Sequence, residues 1–90
     1  MYHWIDTHCH LDASQFDADR DAVRQRAAAQ GVVHCVIPTV LPSFFDQAAH
    51  LAHHYGDSYA LGLHPLALHN APEDALRQLE LALVRYADDQ

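Results

Sequence analysis

Three stretches of the chain have the hydrophobic pattern of β-strands. Residues 32–40, VVHCVIPTV, form an almost continuous run of apolar and β-branched side chains. A run of this kind is typical of a strand that is buried on both faces of a parallel sheet. Residues 3–8, HWIDTH, and residues 58–63, SYALGL, predict two further short strands.

Helical patterns lie between the predicted strands. Residues 17–30 are rich in alanine, with aspartates early and arginines later, as the helix dipole favours. Gly31 follows at the position where a helix commonly ends in glycine. A second helix is predicted over residues 42–55, which begin with a proline and are followed by a glycine. Its apolar stripe consists of Phe44, Phe45, Ala48, Ala49, Leu51, Ala52 and Tyr55.

A third helix is predicted over residues 73–87, after a loop at 64–72. Its apolar face is predicted to consist of Leu76, Leu79, Leu83 and Tyr86. The order of elements is therefore β-α-β-α-β-α. This alternation predicts an α/β fold with a parallel sheet and right-handed crossovers.

Three parallel strands leave two unpaired edges, which a stable protein must cover. A doubly wound sheet usually has about five or more strands, and a closed barrel has eight. The 90 residues suffice for one domain at most. We therefore expect the chain to be the opening part of a larger α/β architecture.

Composition narrows the class of protein. Half of the residues are hydrophobic and 19% are charged, as in an ordinary globular chain. No apolar run reaches the roughly 20 residues that span a bilayer, so no membrane association is expected. The start, MYHWIDTHCH, does not resemble a secretory signal, which makes the cytoplasm the expected compartment and disulfides unexpected. Cys9 and Cys35 are interpreted as small buried side chains.

The formal net charge of −7 argues against a non-specific electrostatic grip on nucleic acid. It does not exclude a polyanionic substrate that is held through a bound metal. Candidate metal ligands occur in the stretch IDTHCHLD, where His8 and His10 are two residues apart. Alternate residues of a strand point to the same face, and the strand here is about to end in a polar turn. Since 9 of the 90 residues are histidines, a chance pair is the alternative interpretation.

Two motifs make a family resemblance specific. The segment WIDTHCHLD at residues 4–12 resembles the first strand of the TatD family of metal-dependent hydrolases, which are amidohydrolase-like TIM barrels. The segment YALGLHP at residues 59–65 is similar to that family's third-strand motif. The resemblance implies that residues 1–90 are a partial TatD-like domain, the first three units of a (β/α)8 barrel.

The resemblance also implies a site. His8 and His10 match the metal-binding histidines of the first strand, and His64 matches a histidine that helps hold a substrate phosphate. Asp6 is interpreted as supporting the metal ligands without binding the metal itself. Members of the family use two divalent ions, Mg²⁺, Mn²⁺ or Zn²⁺, to cleave phosphodiester bonds, often those of DNA. Their glutamate from the fourth strand and later ligands have no counterpart here, so no complete catalytic set is expected and the chain alone is expected to be inactive.

Three alternatives stay open. The metal chemistry is also compatible with amide or ester hydrolysis, because barrels support many reactions. The chain is alternatively a small non-catalytic α/β module that oligomerises through its exposed strand edges. His50 and His54 have the i, i+4 spacing of metal ligands, but a solvated helix face is the favoured interpretation.

Overall fold

A computed structural model describes residues 2–89 as alternating strands and helices. The strands and helices are β1 (Trp4–Asp6), α1 (Arg20–Ala29), β2 (Val32–Pro38), α2 (Phe45–Tyr55), β3 (Ser58–Ala60) and α3 (Ala75–Arg85). Short 3-10 helices occupy Ser14–Phe16, Pro42–Phe44 and Pro65–Asn70. The predicted β-α-β-α-β-α order is confirmed.

The three strands form one parallel sheet in the order β1-β2-β3. Ile5 is in register with His34 in the first pair, and Ile37 is in register with Tyr59 in the second. β1 and β3 are the two edges of this sheet. Because the strands are parallel, their carboxyl ends meet at one edge of the sheet, where sites form in folds of this class.

The strands are shorter than predicted. β1 ends at Asp6 and not at His8, β2 ends at Pro38, and β3 ends at Ala60. Pairing continues irregularly beyond the last two ends, since Thr39 N–H donates to Ala60 O at 3.0 Å and His64 N–H donates to Val40 O at 3.0 Å. The residues after each strand therefore stay next to one another although they are not regular strand.

The hydrophobic core lies between one face of the sheet and the helices. The core cluster consists of Leu11, Ile37, Ala48, Leu51 and Ala52. The expectation that β2 is buried on both faces is wrong. Cys35 and Ile37 are buried at 2% and 0% exposure, whereas Val33 is 50% exposed and Val36 is half-buried. Only the face of the sheet that α1 and α2 cover is buried, because the described strands do not close into a barrel around the other face.

The predicted apolar face of α3 is largely solvent-exposed, which corrects the sequence prediction. Leu76 and Leu83 are 74% and 52% exposed, and the helix is buried only at Ala75 and Ala82. In a (β/α)8 barrel a helix packs between its own strand and the following one. The described residues provide only the first of these two neighbours for α3.

A buried ion pair joins α1 to the segment that leads into β3. Arg24 donates two hydrogen bonds to the Asp57 carboxylate, each 2.9 Å long, and the Asp57 side chain has no exposed surface. Asp57 also accepts from Cys35 N–H at 2.9 Å, and Arg24 donates to Val32 O at 3.3 Å. These contacts tie a helix and two strands together at the amino ends of the strands.

Both helix-ending glycines adopt the left-handed backbone that the sequence predicts, with φ of +97° at Gly31 and +72° at Gly56. A Cβ on Gly31 would lie 2.7 Å from Tyr2 O, whereas nothing lies within 4 Å of a Cβ on Gly56. Gly31→Ala is therefore expected to cost more than the roughly 1–2 kcal/mol of a left-handed alanine, because the clash adds to it. Gly56→Ala is the matched control. Urea denaturation measures both, and equal losses would contradict the role of the Tyr2 contact.

Within residues 2–89, every helix is too short or too polar to cross a bilayer.

Candidate metal centre

The two motif histidines lie in the bend that follows β1. His8 and His10 are exposed, whereas Cys9 between them packs against the core cluster. Cys9 N–H donates to Val36 O at 2.9 Å, which keeps the bend alongside β2. The structure thus places both imidazoles opposite the side chain of Cys9, as predicted, although the strand has already ended.

The imidazoles of His8 and His10 face each other edge to face. Their ring centroids are 4.9 Å apart and their planes cross at 86°. Two imidazoles that ligate one ion at about 2.0–2.1 Å have centroids roughly 4.5–5.5 Å apart. The separation is compatible with a shared ion, which makes the pair a fitting half of a metal site.

Asp6 contacts the backbone of the motif. Its Oδ1 accepts a hydrogen bond from His8 N–H at 3.1 Å. This contact fixes the bend that carries the histidines, since a carboxylate at this spacing stabilises a turn through the main chain. The predicted supporting role of Asp6 remains a prediction, and the observed contact is to the main chain of His8.

The donor set of the described residues is incomplete for a catalytic metal. No group of three or more His, Cys, Asp or Glu side chains within residues 2–89 is arranged to hold an ion. A catalytic zinc ordinarily has three protein ligands and an open position. His8 and His10 therefore fit a metal as two of its ligands and require others to complete the site.

His64 lies at the same edge of the sheet, just after β3. Its backbone N–H donates a hydrogen bond to Val40 O. Its ring Nδ1 accepts a hydrogen bond from Leu66 N–H at 3.1 Å, which caps the 3-10 helix Pro65–Asn70. A ring nitrogen that accepts a hydrogen bond carries no proton, so the proton of the neutral ring is on Nε2. His64 thus presents an N–H donor and not a lone pair. That is the form that binds an anion and not the form that ligates a metal.

The loop after the histidine pair is held in place from α1. Arg20 donates to Leu11 O at 2.8 Å, to Ala13 O at 3.1 Å and to Asp17 Oδ1 at 2.7 Å. Asp12 in this loop is 7% exposed. Burial raises the pKa of its carboxyl, against the opposing effects of a backbone N–H and the charges of His10 and Arg20. Arg20 was not recognised in the sequence, because a lone arginine at the start of a helix carries no distinguishing pattern.

Four further histidines lie on α2 and β2. His50, His53 and His54 are exposed on α2, as the solvated-face interpretation predicts. His53 contacts Asp89 at 2.7 Å, and His34 is hydrogen-bonded to Ser58 Oγ at 2.7 Å. These contacts account for His53 and His34 structurally.

Both cysteines are free thiols. Cys35 is buried and Cys9 is half-buried, which confirms the expectation of small buried side chains. Burial, together with the nearby Cys35 and Asp6, raises the pKa of Cys9 to about 11.

A parallel β/α order with histidines beyond the carboxyl ends of the strands defines a protein of the parallel α/β class, in which sites commonly form at that edge. Comparison with known families assigns it further. Residues 5–89 match the profile of the family "TatD related DNase", and the chain belongs to this family. The resemblance carried by the two sequence motifs is thereby confirmed.

Two relatives show the extent of the similarity. The chain is 42% identical over 83 residues to the uncharacterized metal-dependent hydrolase YjjV of Escherichia coli (strain K12), covering 91% of this chain and 32% of YjjV. It is 34% identical over 85 residues to the human deoxyribonuclease TATDN3, covering 88% of this chain and 31% of TATDN3. The chain spans about a third of the length of these relatives.

A solved structure confirms the fold. The crystal structure of YjjV, a TatD homologue from Escherichia coli K12, matches with a TM-score of 0.83 and 41% sequence identity over 91% of this chain and 32% of that chain. The prediction of an α/β segment that corresponds to three units of a (β/α)8 barrel is confirmed.

Proposed function

We propose that the chain contributes the first metal ligands of a divalent-metal-dependent phosphodiesterase of the TatD type, with DNA as the substrate class. The observation that carries the proposal is the facing pair of imidazoles, His8 and His10, whose centroids lie 4.9 Å apart at the carboxyl edge of the sheet. The human relative's name, deoxyribonuclease, supports the substrate class. Divalent Mg²⁺, Mn²⁺ or Zn²⁺ would bind there, two per complete site.

In this proposal each side chain has a separate task. His8 and His10 bind an ion, and Asp6 holds the bend that positions His8. A divalent ion at such a site lowers the pKa of bound water and neutralises charge that develops in hydrolysis. His64 donates from Nε2 to an oxygen of the substrate phosphate, because its Nδ1 is already occupied by Leu66 N–H.

We further propose that residues 1–90 act as part of a barrel and are inactive alone. Two observations support this: the described residues provide two facing imidazoles but no third ligand, and both edges of the sheet are unpaired. Trp4 and Ile5 on the β1 edge are 59% and 60% exposed, which suits a covered position in a closed barrel. The cytoplasmic location expected from the sequence stays a prediction.

The negative net charge of the chain is also compatible with a second substrate class, carboxylic esters or amides. With a net charge of −7, the chain has no surplus of lysine and arginine to bind a nucleic acid backbone. Phosphate recognition would then depend on the metal and on His64. Metal-dependent ester or amide hydrolysis needs no such recognition, so a panel of substrates separates the two.

A chimera tests the proposal. It carries residues 5–89 of this chain in place of the matched third of YjjV, and it is assayed beside the isolated chain with Mg²⁺, Mn²⁺ or Zn²⁺. The substrates are a DNA oligonucleotide, a small phosphodiester, a carboxylic ester and an amide. We expect the chimera to cleave the two phosphodiesters and the isolated chain to show no turnover above a metal-only blank.

In the chimera, His8→Ala and His10→Ala are each expected to lower the rate by at least about 100-fold, since even the partners that orient metal ligands are worth about 10–100-fold. His64→Ala is expected to lower the rate while metal affinity, measured by calorimetry, is unchanged. His50→Ala is the control for loss of an exposed histidine. Robust turnover by the isolated chain, or full activity of the His8 and His10 variants, contradicts the proposal.

A further inference from the structure

A cavity at the carboxyl edge of the sheet has no role in the function proposed above. Its volume is about 360 Å³, at the lower end of the roughly 300–1,000 Å³ of small-molecule sites. It is lined by His10, Asp12, Ala13, Gln15, Pro38, Val40 and Phe44. Four of these residues follow β1, Pro38 ends β2, and Val40 and Phe44 follow β2. Both walls of the cavity therefore belong to this chain, and neither depends on a further barrel unit.

The cavity borders both parts of the candidate site. His10 lines it directly, and Val40, on the opposite wall, accepts a hydrogen bond from His64 N–H at 3.0 Å. A group bound in the cavity thus contacts one of the proposed metal ligands, His10, and the cavity also includes Val40, which is hydrogen-bonded to the backbone of His64. A substituent of a phosphate bound near His10 would lie close to this cavity.

The walls are held in place before any ligand binds. Arg20 fixes one wall through Leu11 O and Ala13 O. Gln47 donates from Nε2 to Asp12 O at 3.3 Å and so connects that wall to α2. The other wall ends at Phe44, next to Phe45, which is 2% exposed and anchors the start of α2 in the core. A preformed site binds without the cost of ordering its loops.

Phe44 is the aromatic member of the lining. It is 37% exposed, and it also lines an adjoining cavity of about 270 Å³ together with Asp12, Ala13 and Gln15. An aromatic ring that borders two open depressions offers a flat surface for stacking. Aromatic side chains in such positions bind the bases of single-stranded nucleic acids.

The chemistry of the lining selects a neutral, flat ligand over a second anion. None of the described residues that line the cavity is Lys or Arg, and the lining includes the carboxyl group of Asp12, so a phosphate is not favoured there. Ala13, Pro38, Val40 and Phe44 provide apolar surface, and the Gln15 amide can both donate and accept a hydrogen bond at a base edge.

We propose that this cavity binds the nucleobase next to the reacting phosphate, with Phe44 as its stacking surface. The inference rests on the proposed phosphodiesterase function. It adds a base subsite, and it makes Phe44 a residue that decides how well a nucleotide is held compared with a base-free phosphodiester.

A binding experiment on the full 90-residue chain tests this without hydrolysis. The ¹⁵N-labelled chain is titrated with deoxyadenosine, with deoxyadenosine 5′-monophosphate and with 2-deoxyribose 5-phosphate, and amide shifts are followed by NMR. The two base-containing ligands are expected to shift the amides of Ala13, Val40 and Phe44, and the sugar phosphate is not. Equal shifts with the sugar phosphate, or none with any ligand, overturn the inference.

Variants at Phe44 separate stacking from general apolar contact. Phe44→Leu is expected to weaken deoxyadenosine binding at least about 5-fold, as the loss of one aromatic stacking partner does. Phe44→Tyr is expected to bind like the unaltered chain. Leucine binding as tightly as phenylalanine overturns the stacking role, and the comparison of ligands stands even if a variant folds poorly.

The outcome is distinct from that of the chimera. If the chain binds the base-containing ligands but the chimera is inactive, the proposed function is wrong and the cavity remains a base site. If the chimera cleaves phosphodiesters but the chain binds no base, only the inference about the cavity and Phe44 is wrong.

Discussion

Asp57→Ala is expected to destabilise the chain by about 3–5 kcal/mol, the usual cost of leaving one partner of a buried ion pair unpaired. The variant would leave the guanidinium of Arg24, whose side chain is only 9% exposed, without its carboxylate. It would also remove the acceptor of Cys35 N–H. Since domains of this size have about 5–15 kcal/mol of stability in total, much of the folded population would be lost. Urea denaturation followed by circular dichroism measures the change.

Asp17→Ala is the control for this prediction. Asp17 forms an ion pair with Arg20 at 2.7 Å, but its side chain is 66% exposed. An exposed pair is worth about 0–1 kcal/mol, so the control is expected to change stability little. If the two variants lost similar amounts of unfolding free energy, burial of the Arg24–Asp57 ion pair would not explain the loss in Asp57→Ala.

The same pair gives stability a pH dependence. Burial alone would raise the pKa of Asp57, but hydrogen bonds from Arg24 and Cys35 N–H, with the charge of Arg24, lower it below its ordinary value. The folded chain then binds this proton more weakly than the unfolded chain. The stabilisation is complete above the ordinary pKa of about 3.9 and is lost as the pH falls through the lower folded pKa. Below about pH 4 the urea midpoint should fall more steeply for the unaltered chain than for Asp57→Ala.

Ile37→Ala is expected to cost about 2–5 kcal/mol, the range for truncating a large core side chain. Ile37 has 0% exposure and lies at the centre of the cluster that joins β2 to α2 and to Leu11. Its neighbours Ala48 and Ala52 are too small to fill the space that the substitution leaves. The free energy of unfolding in urea is the measurement.

Ile37→Val is the matched control, expected to cost about 0.5–1.5 kcal/mol because one methyl group is lost. A loss below about 1 kcal/mol for the alanine variant would contradict the prediction that the cluster around Ile37 is the rigid centre of the core.

The order of elements could be predicted because helix and strand periods differ clearly, but their ends could not. The pattern HWIDTH continues to His8, yet β1 stops at Asp6. The Asp6 carboxylate accepts a hydrogen bond from His8 N–H, and the regular ladder ends there, although Cys9 N–H still donates to Val36 O. A side chain that competes with the backbone for hydrogen bonds leaves no trace in hydrophobic periodicity.

Burial on the helices was predicted only in part. The stripe of α2 included both Phe44 and Phe45, but neighbouring helix positions point about 100° apart, and only Phe45 is in the core. The spacing alone could have shown that one of them faces elsewhere. On α3 the periodicity identified an apolar face that the described chain leaves exposed at Leu76 and Leu83, because periodicity does not say which partner covers a face.

Two motifs predict the candidate site, and the structure places His8 and His10 after the end of β1 at Asp6, and His64 after the end of β3 at Ala60. Their roles could not be separated by spacing. The cap that Leu66 N–H makes with His64 Nδ1 is what distinguishes a donor from a metal ligand. The contacts of Arg20 with Leu11 O and Ala13 O and the place of Phe44 at the cavity were not predicted, because they arise between segments that are distant in sequence.

The Arg24–Asp57 pair and the histidines lie at opposite ends of the same three strands, the pair before β2 and β3 and the histidines after β1 and β3. Side chains at one end can therefore be exchanged without disturbing the contacts that hold the sheet together at the other. A library that varies the loops after β1 and β2 should retain folded members even when every metal ligand is lost. Such a separation makes this small unit suitable for recombination, because new chemistry can be tried on it without redesigning its core.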